Sequence, residues 1–303
     1  MLQILVPTDL SRDASPGMRF AIQWSTQQKV KLLFTHVLYI PRLTRWNDEQ
    51  YNKFAAQERI RCKRKLEQTV ANLYAQQAVK NGHYECRIVE GIFAEPTLLD
   101  YCRHHPDIDV VCMGTHGAAG IKKLFGTHAG NMVAGSGIPV VVVPKGYRSR
   151  PIKSILYATD MLHYEEELKQ VAPLAASFKA SLEVVHVIEA DEQVPDKNIF
   201  EKVLAEEFHY PVHIHFPIQD ETRSMATNIR RQIQELKPSM AVLFTDQGRT
   251  ILEKLFLSST AERVAFGTPV PLMVYPKRPA HPQKKTRDTR EQAQDNRPAH
   301  KQH

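Results

Sequence analysis

The chain repeats itself, and an internal repeat constrains its fold more than any single motif does. Three segments recur in the same order along the 303 residues. The matching pairs are 4–10 with 155–161, 33–37 with 183–187, and 139–144 with 271–276. The separation falls from 151 residues in the first pair to 132 in the third. The sequence therefore predicts one domain duplicated in tandem, with roughly five turns of helix missing from the second copy.

Within each copy, short apolar strands alternate with helical patterns. Strands are predicted at 2–8, 31–38, 84–89, 110–114, 140–143, 155–158, 182–187, 212–216, 241–245 and 272–275. A helix is predicted to begin after Ser15, which would be its N-cap, with Pro16 at the first helical position. Further helices are predicted at 49–80, 96–104, 127–134 and 199–208. In the helix at 49–80, the apolar positions are Phe54, Ile60, Leu66, Val70 and Leu73. This alternation predicts an α/β fold: two tandem, doubly wound, five-stranded parallel sheets of the Rossmann-like type.

Composition divides the chain into two domains and a tail. We expect domains at 1–146 and 152–276, joined by a short linker, and a tail at 277–303. The tail has eight Lys and Arg against three Asp and Glu, and it lacks Leu, Ile, Val and aromatic residues. Such a segment cannot bury enough apolar surface to order itself, so it is predicted to be disordered. Because the tail carries most of the formal net charge of +7, nucleic acid is an unlikely partner of the folded part.

Several classes of protein are disfavoured by what the sequence lacks. It has no apolar run of membrane-spanning length and no secretory signal pattern, so no membrane partner is expected. The four cysteines fit neither a metal-binding pair nor a disulfide framework, which favours reduced thiols in the cytoplasm. No metal site is predicted, since His213 and His215 sit on a strand whose edge is expected to face solvent. The lysine loop, nucleophile elbow and paired-histidine motifs of common enzymes are also missing.

Two segments have the character of a ligand site, because ligands of open parallel sheets bind beyond the carboxyl ends of the strands. The first is Thr8–Asp9 after the first strand, where a carboxylate can accept hydrogen bonds from ribose. An Asp that only stabilises the turn is an alternative, and Asp160 occupies the same place in the second copy. The second segment is the glycine-rich stretch 113–127, where backbone amides could approach an anion. Tight turns would explain these glycines equally well.

These segments resemble the universal stress protein family, of the adenine nucleotide alpha-hydrolase-like group. The resemblance is carried by 4–10 (ILVPTDL), 35–37 (THV), 113–117 (MGTHG), 126–127 (GT) and 139–144 (PVVVVP). It implies that the first copy binds ATP or a related adenine nucleotide, with Mg²⁺ accompanying it. Asp9 would hold the ribose, and the backbone at Val37 would face adenine. The glycine loop would surround the phosphates, and the full predicted set is Thr8, Asp9, Val37, Met113, Gly114, Gly117, Gly126, Thr127 and His128.

Both copies depart from the family pattern G-x2-G-x9-G-(S/T). In the first copy only eight residues separate Gly117 from Gly126. In the second, aligning Phe244 with Met113 keeps the spacing but replaces two of the three glycines. The added side chains would crowd a phosphate, so the second site is expected to be degenerate.

The resemblance implies a cytoplasmic regulator of the stress response that binds nucleotide in its first domain, and not an enzyme. Slow, incidental ATP hydrolysis is compatible with this. A nucleotide-free interaction scaffold of the same fold is the alternative. The last strands of the copies, 140–143 and 272–275, are expected to pair within the chain as an intramolecular pseudo-dimer, and further homodimerisation is possible.

Overall fold

The computed structural model describes residues 1–12, 14–80, 82–114, 132, 135–244 and 269–276, which contain ten strands and six helices. In the first copy these are β1 (Leu2–Pro7), α1 (Ser15–Ser25), β2 (Val30–Leu38), α2 (Asp48–Gln76), β3 (Tyr84–Glu90), α3 (Ala94–His104), β4 (Val110–Gly114) and β5 (Val140–Val143). In the second they are β6 (Ser154–Ala158), α4 (Tyr164–Phe178), β7 (Ser181–Val185), α5 (Lys197–Phe208), β8 (Val212–His215), α6 (Met225–Leu236), β9 (Met240–Phe244) and β10 (Leu272–Tyr275).

All ten strands belong to one sheet, in the order β3-β2-β1-β4-β5-β10-β9-β6-β7-β8. Neighbouring strands are parallel within each copy. The two halves meet at β5 and β10, which pair antiparallel with Met273 opposite Val141. This pairing covers two strand edges that would otherwise be open to other chains.

Apolar side chains fill both faces of the sheet. One buried cluster contains Ile4, Val6 and Cys112 together with the apolar sides of α1, α2 and α4. The other contains Leu5 and Val111 and packs beneath α3 and α6. Because successive strand residues point to opposite faces, the continuous apolar strands supply both clusters at once. The predicted α/β class with a mostly parallel sheet is therefore confirmed.

Two details of the predicted helices are wrong. Ser15 is already helical and Ala14 occupies the N-cap position; the Ser15 hydroxyl donates to the Arg12 carbonyl instead of capping the helix. In α2, Leu66, Val70 and Leu73 are buried as expected, but Ile60 is 54% exposed. The predicted helix 127–134 and tail 277–303 lie outside the described residues.

Three of the other helices, α2, α5 and α6, begin with a side-chain cap. Asn47 and Gln50 form a reciprocal capping box at the start of α2, and Asp196 accepts two backbone N–H bonds at the start of α5.

The residues that connect the two copies are themselves packed. Tyr147 and Ile152 are buried, and the Ile152 backbone exchanges two hydrogen bonds with the Gln27 side chain. None of the helices in the described ranges is long and apolar enough to cross a membrane.

Candidate functional site

The strand order creates a crevice in each copy. In the first copy the chain passes from β1 to β2 and β3 on one side, and then crosses to β4 on the other side of β1. The connections leaving β1 and β4 therefore diverge, and a crevice opens above the carboxyl ends of these two strands. Thr8 and Asp9 follow β1, while Met113 and Gly114 end β4. The fold thus brings four of the predicted site residues to one place.

The turn after β1 is held by its own side chains. The Thr8 N–H donates to the Thr35 carbonyl, and the Thr8 hydroxyl accepts from the Leu10 N–H at 3.0 Å. Asp9 Oδ1 accepts from the Ser11 N–H at 2.9 Å, and Leu10 adopts a positive φ of 63°. The Asp9 side chain is exposed. The turn therefore fixes a carboxylate at the rim of the crevice.

The main chain of Val37 faces the same crevice and forms no hydrogen bond with β1. β1 ends at Pro7, opposite Thr35, whereas β2 continues to Leu38 alongside β3. The Thr35 carbonyl bonds toward β1, and residues two apart in a strand direct their N–H and C=O to the same side. The N–H and C=O of Val37 therefore point past the end of β1, over the turn that carries Asp9.

β4 ends in a close approach to α1. A Cβ on Gly17 would lie 2.5 Å from the Gly114 nitrogen and 2.7 Å from the Met113 carbonyl carbon. The Sγ atom of Cys112, two residues before Gly114 on β4, lies 3.4 Å from the Gly17 carbonyl oxygen. The absence of a side chain at Gly17 thus lets the first turn of α1 rest on the end of β4. The other predicted phosphate-loop residues, Gly117, Gly126, Thr127 and His128, lie outside the described residues.

The second copy reproduces the turn almost bond for bond. The Thr159 hydroxyl accepts from the Met161 N–H at 3.0 Å, Asp160 Oδ1 accepts from the Leu162 N–H at 3.0 Å, and Met161 has a φ of 65°. The histidine after each second strand also matches: Nδ1 of His36 bonds the Thr8 carbonyl at 2.9 Å. Nδ1 of His186 bonds the Thr159 carbonyl at 3.1 Å. The repeated TD and HV motifs therefore build a structural turn in both copies.

The contents of the second crevice differ. Gly114 pairs with Val143 in the first copy, and Phe244 pairs with Tyr275 in the second. The predicted alignment of Phe244 with Met113 is therefore wrong by one residue, and Phe244 takes the place of Gly114. Its ring stacks on Tyr275 at 4.8 Å and lies edge-on to Tyr157 at 5.9 Å. These three aromatic side chains stand where the first copy has Val6, Gly114 and Val143.

Tyr157 also forms a buried polar pair with Glu167. The Tyr157 hydroxyl donates to Glu167 Oε2 on α4, and both residues are buried. Burial, reinforced by the nearby Glu167 charge, raises the pKa of Tyr157 well above its ordinary value. The hydroxyl therefore stays protonated and remains a donor to the carboxylate.

The loops after the second strands have opposite charges. Residues 39–47 of the first copy contain Arg42 and Arg45 and no acid, whereas 188–196 of the second contain four acids and no base.

One of these acids, Glu192, is bonded to the histidine that follows β7. Glu192 Oε1 lies 2.9 Å from His186 Nε2, and the hydrogen bond from His186 lowers the pKa of Glu192. His186 therefore joins the Thr159 carbonyl to Glu192 through its two ring nitrogens.

Other sequence candidates do not form a site. The described residues contain no group of three or more His, Cys, Asp or Glu placed to hold a metal ion, and His215 is bonded to Glu183 at 2.9 Å. Cys112 is fully buried, and burial raises its pKa far above the ordinary thiol value. It is therefore an inert core residue. Gly17 and Phe244 were missed as determinants; a glycine two residues into a helix was the available signal for Gly17.

Comparison with known proteins places the chain in a family. A model described as the universal stress protein family matches residues 1–144 and again residues 151–276. The chain therefore belongs to the universal stress protein family, with two copies of its domain. A comparison with curated proteins gives no match.

Solved structures of universal stress proteins are similar to this chain to different extents. A universal stress protein from Archaeoglobus fulgidus DSM 4304 is 18% identical, with a TM-score of 0.64 and alignment over 91% of this chain and 98% of that chain. A universal stress protein in complex with cAMP is 17% identical over 49% of this chain and 98% of its own, with a TM-score of 0.33. One from Archaeoglobus fulgidus in complex with dAMP is 15% identical over 41% and 98%, with a TM-score of 0.29.

Proposed function

We propose that this chain is a cytoplasmic regulator of the stress response whose first copy binds ATP or a related adenine nucleotide, with Mg²⁺ accompanying the phosphates. The second copy serves as a closed structural partner in an internal pseudo-dimer. No residue is assigned a catalytic role. Binding of nucleotide would act by favouring one conformation or partner over another.

The observation that carries this proposal is the replacement of Gly114 by Phe244 at matching positions of the sheet. In the first copy the end of β4 has no side chain beside an exposed Asp9. The open N–H and C=O of Val37 offer one donor and one acceptor, which suits the edge of an adenine base. In the second copy the ring of Phe244 stands at the position of Gly114 and packs against Tyr157 and Tyr275, and the loop that follows β7 is acidic. That loop would repel phosphates, whereas Arg42 and Arg45 would attract them.

Isothermal titration calorimetry with ATP and Mg²⁺ tests the proposal through a matched pair of variants. Asp9→Ala and Asp160→Ala each remove a carboxylate that accepts one backbone N–H in an equivalent turn. Only Asp9→Ala is expected to weaken binding, by roughly 10- to 100-fold for a lost charged hydrogen bond. Equal binding by both variants would contradict a ribose contact at Asp9. A stoichiometry of two per chain would contradict the closed second copy.

The scaffold alternative is favoured by one observation: the second copy keeps the complete turn after β6 with its crevice filled. The motif residues alone therefore do not require a ligand. Mass spectrometry of the purified chain after denaturation, together with the calorimetry, separates the two functions. Absence of both co-purified nucleotide and titratable heat would favour the scaffold.

A further inference from the structure

The two copies carry opposite formal charges. Residues 1–146 contain 18 Lys and Arg and 12 Asp and Glu, a charge of +6. Residues 152–276 contain 12 Lys and Arg and 18 Asp and Glu, a charge of −6. The charges of the two copies cancel when they are added, so the net charge of the chain does not reveal the difference between them. Fields of this size favour contact between the first copy of one molecule and the second copy of another.

A run of basic residues lies on α2, the helix that is 29 residues long where its counterpart α5 has 12. Residues 59–65 include five Lys and Arg and no acid. Lys53, Ile60, Arg61 and Arg64 recur at helical spacing on the side opposite the buried Leu66 and share one exposed stripe. Within the helix, the Arg61 guanidinium also lies 2.6 Å from Glu58 Oε2. Ile60 places an aliphatic side chain, 54% exposed, in the middle of this stripe.

The helix that carries the stripe is held at its start and along its second half. The capping box fixes the start of α2, and Leu66, Val70 and Leu73 anchor its second half in the core. Arg59 pairs with Glu90 at the end of β3. A rigid helix face costs little conformational entropy on binding, which favours its use as a contact surface.

The second copy has a complementary surface on α5. Ile199 and Val203, one helical turn apart, are 67% and 49% exposed and lie opposite the buried Leu204. Exposed acids surround them: Asp196, Glu206 and Glu207 on or beside α5, and Glu165 and Glu166 on the neighbouring first turn of α4. Tyr164 of α4 packs edge-on against Phe200 of α5 at 5.9 Å, which brings the two helix starts together. Lys202 belongs to this face as well and lies 4.0 Å from Glu206.

We propose that α2 of one chain docks on α5 of a second copy of the same chain. Ile60 would contact the Ile199 and Val203 pair while Arg61 and Arg64 meet the acidic rim. A two-fold axis satisfies both contacts at once, since each chain contributes one α2 and one α5. The resulting homodimer is closed, and it uses surfaces separate from the nucleotide crevice.

Sedimentation velocity of the full chain at low and high salt tests the contact. At about 50 mM salt a dimer is expected, and its dissociation constant should rise at least about tenfold at about 500 mM, because exposed charges are screened. A chain that is monomeric at both salt concentrations overturns the proposal.

Charge reversal identifies the surfaces. Arg61→Glu with Arg64→Glu should abolish the dimer at low salt, and adding Glu206→Lys with Glu207→Lys to the same chain should restore it. Lys29→Glu with Arg103→Glu makes the same charge change in the first copy away from α2 and should leave the dimer intact. A dimer that survives reversal on α2, or that the compensating changes do not restore, overturns the proposal. Circular dichroism confirms that each variant is folded.

Discussion

The two copies share a turn but differ in what lies beside it. After β1 and after β6 the same threonine, aspartate and left-handed residue form the same hydrogen bonds. The neighbouring positions then diverge from Gly114 to Phe244 and from Val6 to Tyr157. A turn that closes through its own side chains does not depend on a ligand, so it can be retained after the crevice beside it has been filled.

The aromatic side chains near the end of β9 stabilise the core of the second copy. Where the first copy has Val6, Gly114 and Val143, the second copy has three aromatic rings and one buried hydroxyl–carboxylate bond. Aromatic pairs in such geometry contribute about 0.5–1.5 kcal/mol beyond the area they bury. Larger side chains therefore pack the core of the second copy up to the end of β9.

Phe244→Ala should have the largest effect on this comparison. The ring is 7% exposed and contacts two other aromatic side chains, so its removal is expected to lower the free energy of unfolding by about 3–5 kcal/mol. Urea denaturation measures the change. Phe93→Ala is the control, since Phe93 is 70% exposed, and it should change stability by less than about 0.5 kcal/mol. A small loss accompanied by a second ATP site would mean that Phe244 is a displaceable side chain and the crevice is latent.

Gly17→Ala tests the close approach in the first copy. Helix propensity alone would make this change stabilising by up to about 1 kcal/mol. The added Cβ would meet backbone atoms of Met113 and Gly114, so a loss of about 1–3 kcal/mol is expected instead, together with weaker nucleotide binding. Gly146→Ala meets nothing within 4 Å and is the control. A stabilised Gly17→Ala variant with unchanged ATP binding would show that α1 does not need to rest on β4.

Tyr157→Phe removes one donor from the buried Glu167 carboxylate. The expected loss is about 1.5–3 kcal/mol, since the ring packing is preserved and a single hydrogen bond to a buried carboxylate is deleted. Tyr275→Phe provides the comparison, because its hydroxyl makes no hydrogen bond with any described residue, and it should cost less. Thermal unfolding of both variants measures the difference. Equal losses would assign the effect to burial of the hydroxyls and not to the bond with Glu167.

The sequence predicts the strands well because nearly all of them are short apolar runs that occur twice in the same order. It fails where a three-dimensional contact decides the outcome. Ile60 was grouped with the apolar positions of α2, yet it lies on the side opposite the buried Leu66, and the first half of the helix buries only Ala55. Ser15 was expected to cap α1, but the preceding residues already turn, and the helix starts one position earlier.

The one-residue error at Phe244 has a similar origin. Nine residues follow Gly248 before Ser258, as in the family pattern, and this spacing favoured aligning Phe244 with Met113. The pairing of β9 with β10 instead aligns Phe244 with Gly114. Hydrogen bonding between strands fixes which side chain faces the crevice, and a shift of one residue moves it to the opposite face. Likewise, the repeated THV and VHV segments indicated a shared role, but only the structure assigns His36 and His186 to the carbonyl that ends the first strand of each copy.

The smallest predicted effect concerns pH and the bond between His186 and Glu192. The pKa of Glu192 is lowered mainly by the hydrogen bond from His186, with a second contribution from the Glu189 N–H. A lowered folded-state pKa means that this carboxylate stabilises the fold above its unfolded-state pKa and loses that contribution as the pH falls through the folded-state value. In His186→Asn the titration midpoint of Glu192, followed by carboxyl NMR, should rise part of the way to its ordinary value. His36→Asn, the equivalent change in the first copy, should leave it in place. A Glu192 midpoint that is the same in all three proteins would assign the lowered pKa to the backbone donor alone, and the loop after β7 would then not be held by the histidine that the two copies share.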